Sequence, residues 1–198
     1  RPECEKPSEE SKEPVTKEVT MPQIGGPWKL LDLDGNPVTE KILQGHNYLL
    51  YFGFCNCPDV CPQTLSKIAK AMEILGKEVD IEKLNLKTVF VTVDPDRDNK
   101  KRIEEFLSLF NIPIIGLRAK SNDDPDLREM LNKYRIFANK IELADKPNSK
   151  GKIPYTIDHT VITYLIDKDN KCIRHLSPTL AARDMANIIK EALLPKSQ

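Results

Sequence analysis

The sequence predicts an α/β protein, because short apolar segments alternate with amphipathic helical segments along most of the chain. Two runs, "NYLLYFGF" at 47–54 and "KTVFVTVD" at 87–94, are almost continuously apolar. Strands that are buried on both faces of a sheet have this pattern. Each run is followed by apolar residues at helical spacing, so we expect one sheet with helices on both of its sides.

The N-terminal part of the chain is divided into a charged segment and a hairpin. Residues 1–23 are rich in Glu, Lys, Ser and Pro and contain few large apolar groups. Such a segment buries too little surface to offset its ordering entropy, so we predict a disordered tether there. The run "WKLLDLDGNPVTE" at 28–40 is a strand, an Asp-Gly turn and a strand. It predicts a β-hairpin extension at the start of a single folded domain, 24–198.

The remaining elements follow from caps and apolar periodicity. Cys61 is the predicted N-cap of a helix whose first residue is Pro62, and Asp98 and Asp124 are predicted to cap the next two helices. The run "HTVITYLID" is predicted to be a strand that begins at His159 and forms a hairpin with "KCIRHL". The run "TLAARDMANIIKEALL" closes the chain as a helix.

Length and composition exclude several classes of protein. A chain of 198 residues, 39 % hydrophobic, is long enough for one domain with its own core. Its 30 basic and 30 acidic residues give a net charge of +0, which argues against a nucleic-acid partner. Five cysteines are too few for a disulfide-based scaffold.

Three of the cysteines lie within the run "CNCPDVC", between the first buried strand and its helix. Cys57 and Cys61 both precede a proline, which disfavours helical geometry, so the loop can fold back and bring the two sulfurs together. The positive end of the helix then faces the thiols and favours thiolates. This loop fits a disulfide, a thiol-disulfide exchange pair, half of a zinc site, a Cu(I) site or two ordinary cysteines.

A copper site needs a further donor, and the chain has three histidines. His46 lies in a polar turn. His175 follows Cys172 by three residues, a spacing that places the two on opposite faces of a strand. His159 follows a polar loop and begins an apolar strand that could lie beside the cysteine strand. A lone histidine at a strand end is more often structural than a ligand, but these two features favour His159 as a third ligand.

Four sequence blocks resemble the Sco/SenC copper-binding proteins: "GGPW", "YFGFCNCPDVCP", "VTVDPDRD" and "YTIDHTVITYLID". They occur in that family's order, and the resemblance extends from Ile24 to Leu194. It implies a thioredoxin-like fold, with the cysteines between the first central strand and its helix. It also implies an N-terminal membrane helix, which is absent from this chain.

The resemblance also implies a function. The family's members are metallochaperones that deliver copper to the binuclear copper centre of cytochrome c oxidase, so the expected partners are the copper-centre subunit and an upstream copper chaperone. The expected location is the mitochondrial inner membrane facing the intermembrane space, with a bacterial membrane facing the periplasm as the alternative. The sequence leaves open whether the domain forms a homodimer.

Carried over residue by residue, the ligands for Cu(I) and Cu(II) are Cys57, Cys61 and His159, and Cys57 and Cys61 are also the expected redox disulfide. Asp94 is expected to lie near the site and to act in partner contact or copper delivery; as a turn former after a strand, it has an equally good structural explanation. The alternative function is a thiol-disulfide oxidoreductase that keeps the oxidase's copper-ligand cysteines reduced. A copper sensor is also open, whereas a peroxidase is disfavoured.

The sequence departs from the family pattern beside the ligands. Cys55 and Asn56 stand where the family usually has Thr and His. Cys55 is two positions before Cys57, so on an extended strand end the two side chains point the same way. Cys55 is therefore an alternative ligand, a resolving thiol or a buried filler residue.

Overall fold

The computed structural model describes residues 23–57 and 60–196. The strands in these ranges are β1 (Lys29–Leu31), β2 (Pro37–Thr39), β3 (Asn47–Gly53), β4 (Leu86–Thr92), β5 (Ile115–Leu117), β6 (Ala138–Glu142), β7 (Tyr155–His159), β8 (Thr163–Ile166) and β9 (Cys172–Leu176). The α-helices are α1 (Val60–Glu78), α2 (Ile81–Leu84), α3 (Lys100–Leu107), α4 (Pro125–Lys133) and α5 (Ala182–Leu193), and a 3₁₀ helix covers Glu40–Leu43. This alternation of helices and strands confirms the predicted α/β class.

The centre of the molecule is a mixed five-stranded sheet with strand order β5-β4-β3-β8-β9. Strands β3, β4 and β5 run parallel to one another, whereas β8 pairs antiparallel with both β3 and β9. The predicted N-terminal hairpin is confirmed as β1 and β2, which pair antiparallel. Strands β6 and β7 form a second hairpin outside the central sheet.

Helices cover both faces of this sheet, as consecutive residues of β3 show. Side chains alternate between the two faces along a strand. The Tyr51 hydroxyl reaches Cys61 on α1, whereas the ring of Phe52 packs against Tyr134 at the end of α4, with ring centroids 5.7 Å apart. Both β3 side chains are fully buried. The prediction of helices on both sides of one sheet is therefore confirmed.

Two predicted helix caps are wrong. Helix α1 begins at Val60, so Cys61 lies inside its first turn and is not the N-cap. The following Pro62 is tolerated there because backbone N–H groups of the first turn need no helical partner. Helix α3 is capped by Asn99, whose side chain accepts a hydrogen bond from the Arg102 backbone N–H, and Asp98 is fully buried instead. The predicted cap at Asp124 is confirmed.

The strand predicted to begin at His159 is in fact two strands. His159 is the last residue of β7, and the strand beside the cysteine strand is β8, which starts at Thr163. The tether predicted for residues 1–23 lies outside the described residues except for Gln23. Among the described residues, no helix combines the length and the apolar character that crossing a bilayer requires.

Candidate metal centre

The structure brings Cys57, Cys61 and His159 together. One ligand atom from each side chain lies within 4.8 Å of the other two. Cys57 follows β3, Cys61 is in the first turn of α1 and His159 ends β7. The Cys61 Sγ atom lies 3.5 Å from the His159 Nε2 atom. The predicted donor set therefore converges from three separate elements of the fold.

Cys61 is the most deeply buried of the three, with no exposed surface. Its Sγ atom accepts a hydrogen bond of 3.3 Å from the Tyr51 hydroxyl. A hydrogen bond with the Cys57 thiol and burial raise the pKa of Cys61 well above its ordinary value. The direction of this shift is opposite to the thiolate that we expected from the helix N-terminus.

His159 presents one particular ring nitrogen to the thiols. Its Nδ1 atom lies 2.9 Å from the Thr160 carbonyl oxygen, which only accepts hydrogen bonds, so Nδ1 carries the proton. The Nε2 lone pair is therefore free to bind a metal, an arrangement typical of histidine ligands. The rings of Phe54 and Tyr51 pack edge-on against the imidazole, with centroids 5.6 and 6.4 Å away, and limit its rotation.

The donor set has the chemistry of a soft-metal site. Two sulfurs and one imidazole nitrogen suit Cu(I), which thiolates select. A structural zinc site normally has four ligands, and within the described part of the chain the group contains three. Cys57 is half-buried, whereas Cys61 and His159 are buried.

A family model described as SCO1/SenC matches residues 16–194. This chain belongs to the SCO1/SenC family. Two curated relatives share about a third of the aligned residues with this chain. A SCO2-like protein of Rickettsia prowazekii is 33% identical over 168 residues, which are 85% of this chain and 76% of the relative. Protein sco1 of Schizosaccharomyces pombe is 31% identical over 197 residues, which are 99% of this chain and 71% of the relative.

Solved Sco structures have the same fold. Arabidopsis thaliana ScoI with copper bound is 29% identical and superposes with a TM-score of 0.72, over 85% of this chain and 98% of that one. Yeast Sco1 with copper bound is 33% identical with a TM-score of 0.71, over 86% of this chain and 88% of that one. The predicted thioredoxin-like fold of this SCO1/SenC chain is thereby confirmed.

The two auxiliary residues proposed for this SCO1/SenC site lie outside the three-ligand group. Asp94 is fully buried and bonded to other side chains. The Cys55 backbone N–H donates to the Asp98 carboxylate at 3.0 Å, and the half-buried Cys55 side chain packs against the core. Burial and the adjacent Asp98 raise the pKa of the Cys55 thiol.

Three other candidate residues, His46, Cys172 and His175, lie outside the three-ligand group. Cys57 and Cys61 are not joined by a disulfide in this structure, so their disulfide stays a prediction. His46 hydrogen-bonds Asn85 beside the start of β3, at the strand end opposite to the cysteines. Cys172 and His175 lie on β9 and are not part of the ligand group.

Sequence reasoning missed the side chains that surround the ligands. Tyr51 and Phe54 counted only as apolar residues of a buried run, yet both contact His159. Arg97 and Tyr155 were not singled out, yet they link the end of β4 to β7. The spacing of Asp94 and Arg97 in "DPDR" is a local signal for their ion pair, whereas no sequence signal connects either residue to Tyr155.

Gly53 leaves room for the site at the end of β3. A Cβ atom added there would lie 2.9 Å from Cys61 Sγ, 2.9 Å from Tyr51 Cε1 and 3.1 Å from Phe90 Cε2. We therefore expect Gly53→Ala to lower the free energy of unfolding by about 1–3 kcal/mol, the usual cost of overpacking. Urea unfolding of the metal-free protein measures this change.

Gly76→Ala is the matched control, because a Cβ atom there meets only Ile81 Cδ1 at 4.0 Å. Gly76 lies inside α1, where alanine is the better helix former by about 1 kcal/mol. This control should therefore be neutral or stabilising. Equal destabilisation by both substitutions would contradict the close packing at Gly53.

Proposed function

We propose that this chain is a copper metallochaperone. It binds one copper ion through Cys57, Cys61 and His159 and delivers it to the binuclear copper centre of cytochrome c oxidase. The observation that carries the proposal is the convergence of these three side chains within 4.8 Å from three separate elements. The delivery step is what membership of the Sco/SenC family implies.

Solved relatives support copper as the cargo. Two structures that share the fold, Arabidopsis thaliana ScoI and yeast Sco1, are described with copper bound. The donor set of this chain suits Cu(I), and the same three ligands with an added water also suit Cu(II).

The geometry also suits transfer of the metal. A three-ligand site open beside the half-buried Cys57 admits a thiolate from an acceptor, which attacks the metal as the first protein ligand leaves. His159 lies on a hairpin outside the central sheet, so movement of that hairpin would release the histidine from the metal.

The test is an anaerobic Cu(I) titration of fully reduced protein against a competing chelator. The wild type should take up one Cu(I) per chain. Removing an outer-shell partner of a ligand costs about 10- to 100-fold in metal affinity. His159→Ala removes the ligand itself, so it should weaken binding by more than about 100-fold. Its matched control is His46→Ala, because His46 lies at the far end of β3. Equal affinities in all three proteins would show that His159 is no ligand.

A thiol-disulfide oxidoreductase is the second candidate. Its supporting observation is the hydrogen bond between the thiols of Cys57 and Cys61, whose sulfurs lie within 4.8 Å of each other. Thiol exchange requires a thiolate, and the raised pKa of Cys61 makes that thiolate scarce at neutral pH. Fast reduction of the oxidase subunit's cysteines by the copper-free protein would favour this candidate.

The proposed location is the mitochondrial inner membrane, with the domain facing the intermembrane space. Relatives named as mitochondrial in Saccharomyces cerevisiae and Arabidopsis thaliana support it. The Rickettsia relatives support the alternative, a bacterial membrane facing the periplasm. Fractionation of the source cells, with protease protection of the domain, decides between the two.

A further inference from the structure

The position of His159 relative to the thiols is not set by the central sheet. Within the described residues, β7 pairs with β6 alone, and these two strands form a sheet of their own. The cysteines, in contrast, follow β3 in the middle of the five-stranded sheet. The chain joins His159 to β8 through residues 160–162, and side-chain contacts also hold this hairpin against the rest of the domain.

Several of these contacts join β7 to the end of β4. Asp94 follows β4, and its carboxylate is fully buried. Its Oδ1 atom accepts hydrogen bonds from the Tyr155 hydroxyl at 2.8 Å and from Asn122 Nδ2 at 2.9 Å. Its Oδ2 atom accepts a hydrogen bond from Arg97 Nε at 2.5 Å. Tyr155 is the first residue of β7, so this carboxylate anchors the hairpin directly.

Arg97 holds the same residue of β7 in a second way. Its Nη1 atom donates to the Tyr155 carbonyl oxygen at 2.6 Å. Its guanidinium also stacks on the Tyr155 ring, 3.7 Å from the ring centroid. A planar guanidinium makes both contacts at once, which a lysine ammonium does not reproduce. Asp94, Arg97 and Tyr155 are called the Asp94 cluster below.

The Asp94 cluster is connected to His159 along two routes. Tyr155 and His159 are four residues apart on one strand, so their side chains lie on the same face. Arg97 also lies over the buried Phe54 ring, 5.9 Å from its centroid, and Phe54 packs edge-on against the His159 ring. Movement of Tyr155 away from Asp94 would therefore carry the imidazole away from Cys61.

We propose that Asp94, Arg97 and Tyr155 are positioning residues for His159, which hold the β6–β7 hairpin where Nε2 meets the Cys61 sulfur. None of the three is a metal ligand, and each acts through the strand that carries the histidine. The effect on copper affinity rests on the function proposed above. The effect on hairpin position does not, because it is a property of the metal-free protein.

The first experiment uses metal-free, reduced protein. Cys61 is fully buried, and His159 lies against its sulfur. We therefore expect Arg97→Lys and Tyr155→Phe to speed alkylation of Cys61 by N-ethylmaleimide, measured residue by residue with mass spectrometry. The matched control is Arg183→Lys, because Arg183 pairs with Glu78 at the opposite end of α1. An alkylation rate raised equally in the control would reflect general loosening and overturn the proposal.

The second experiment measures Cu(I) affinity in two backgrounds. Losing a direct outer-shell partner of a ligand typically costs about 10- to 100-fold in metal affinity. Arg97 acts on His159 indirectly, so we expect a loss of up to about 10-fold for Arg97→Lys. In a His159→Ala background, the same substitution should have no further effect. Equal losses in the two backgrounds would overturn the proposal, because a merely structural role does not depend on His159. Tyr155→Phe keeps the ring and serves as a milder variant should Arg97→Lys fold poorly.

The two experiments separate the two proposals. A wild type that takes up no Cu(I) contradicts the proposed function, whereas the alkylation rates still decide the role of the Asp94 cluster. Unchanged alkylation of Cys61 in both cluster variants overturns the positioning role, even where the wild type binds one copper.

Discussion

Replacing Cys61 by serine is expected to abolish stoichiometric Cu(I) binding. The residue supplies one of two sulfur donors, and a serine hydroxyl is a hard, protonated group that Cu(I) does not prefer. Removal of an outer-shell partner already costs about 10- to 100-fold in metal affinity, so loss of a ligand should cost more than about 100-fold. A competition titration against a Cu(I) chelator under anaerobic conditions measures the loss.

Cys55→Ser is the matched control for this substitution. Cys55 lies close to the ligands in sequence, is half-buried and stays outside the three-ligand group. Affinity and stoichiometry should therefore be unchanged. If Cys55→Ser weakened binding as much as Cys61→Ser, or if the wild type held two copper ions tightly, Cys55 would be a ligand and the three-ligand description would be incomplete.

Local sequence signals predict much of the fold, whereas the complete ligand set follows from the resemblance to the Sco/SenC family. Apolar runs identify β3 and β4, and the Asp-Gly turn identifies the first hairpin. The spacing of Cys57 and Cys61 indicates a paired-sulfur site at the start of a helix. His159 was assigned to the wrong strand because the run "HTVITYLID" contains no glycine, proline or asparagine to show where β7 ends and β8 begins.

The side chains that position the ligands are not predictable in the same way. Arg97 and Tyr155 are 58 residues apart, and their contact depends on how the β6–β7 hairpin folds over the end of β4. The assignment of Asp98 as a helix cap failed for a similar reason. Its carboxylate is buried by tertiary contacts with Thr92 and the Cys55 backbone, so the adjacent Asn99 caps the helix.

Cu(I) affinity is expected to rise steeply with pH. Copper binds the thiolate, and the pKa of Cys61 in the metal-free protein is raised by its hydrogen bond with Cys57 and by burial. The metal therefore displaces a proton from Cys61 throughout the neutral range. Each displaced proton should strengthen apparent binding about tenfold per pH unit. Titrations from pH 6 to 8 in one chelator system, corrected for the chelator's own protonation, measure the slope.

The stability of the metal-free protein should change in the opposite direction. Burial raises the pKa of Cys55 and of Tyr51, and the pKa of Cys61 is raised as well. The ordinary pKa values are 9.0 for the thiols and 10.0 for tyrosine. The folded chain thus keeps protons that the unfolded chain releases, so its stability is present below pH 9 and falls as pH rises further. Urea unfolding between pH 7 and 10 measures the decline, and Cys61→Ser should reduce it. Cu(I) affinity that did not change with pH would show that Cys61 is already a thiolate before the metal arrives.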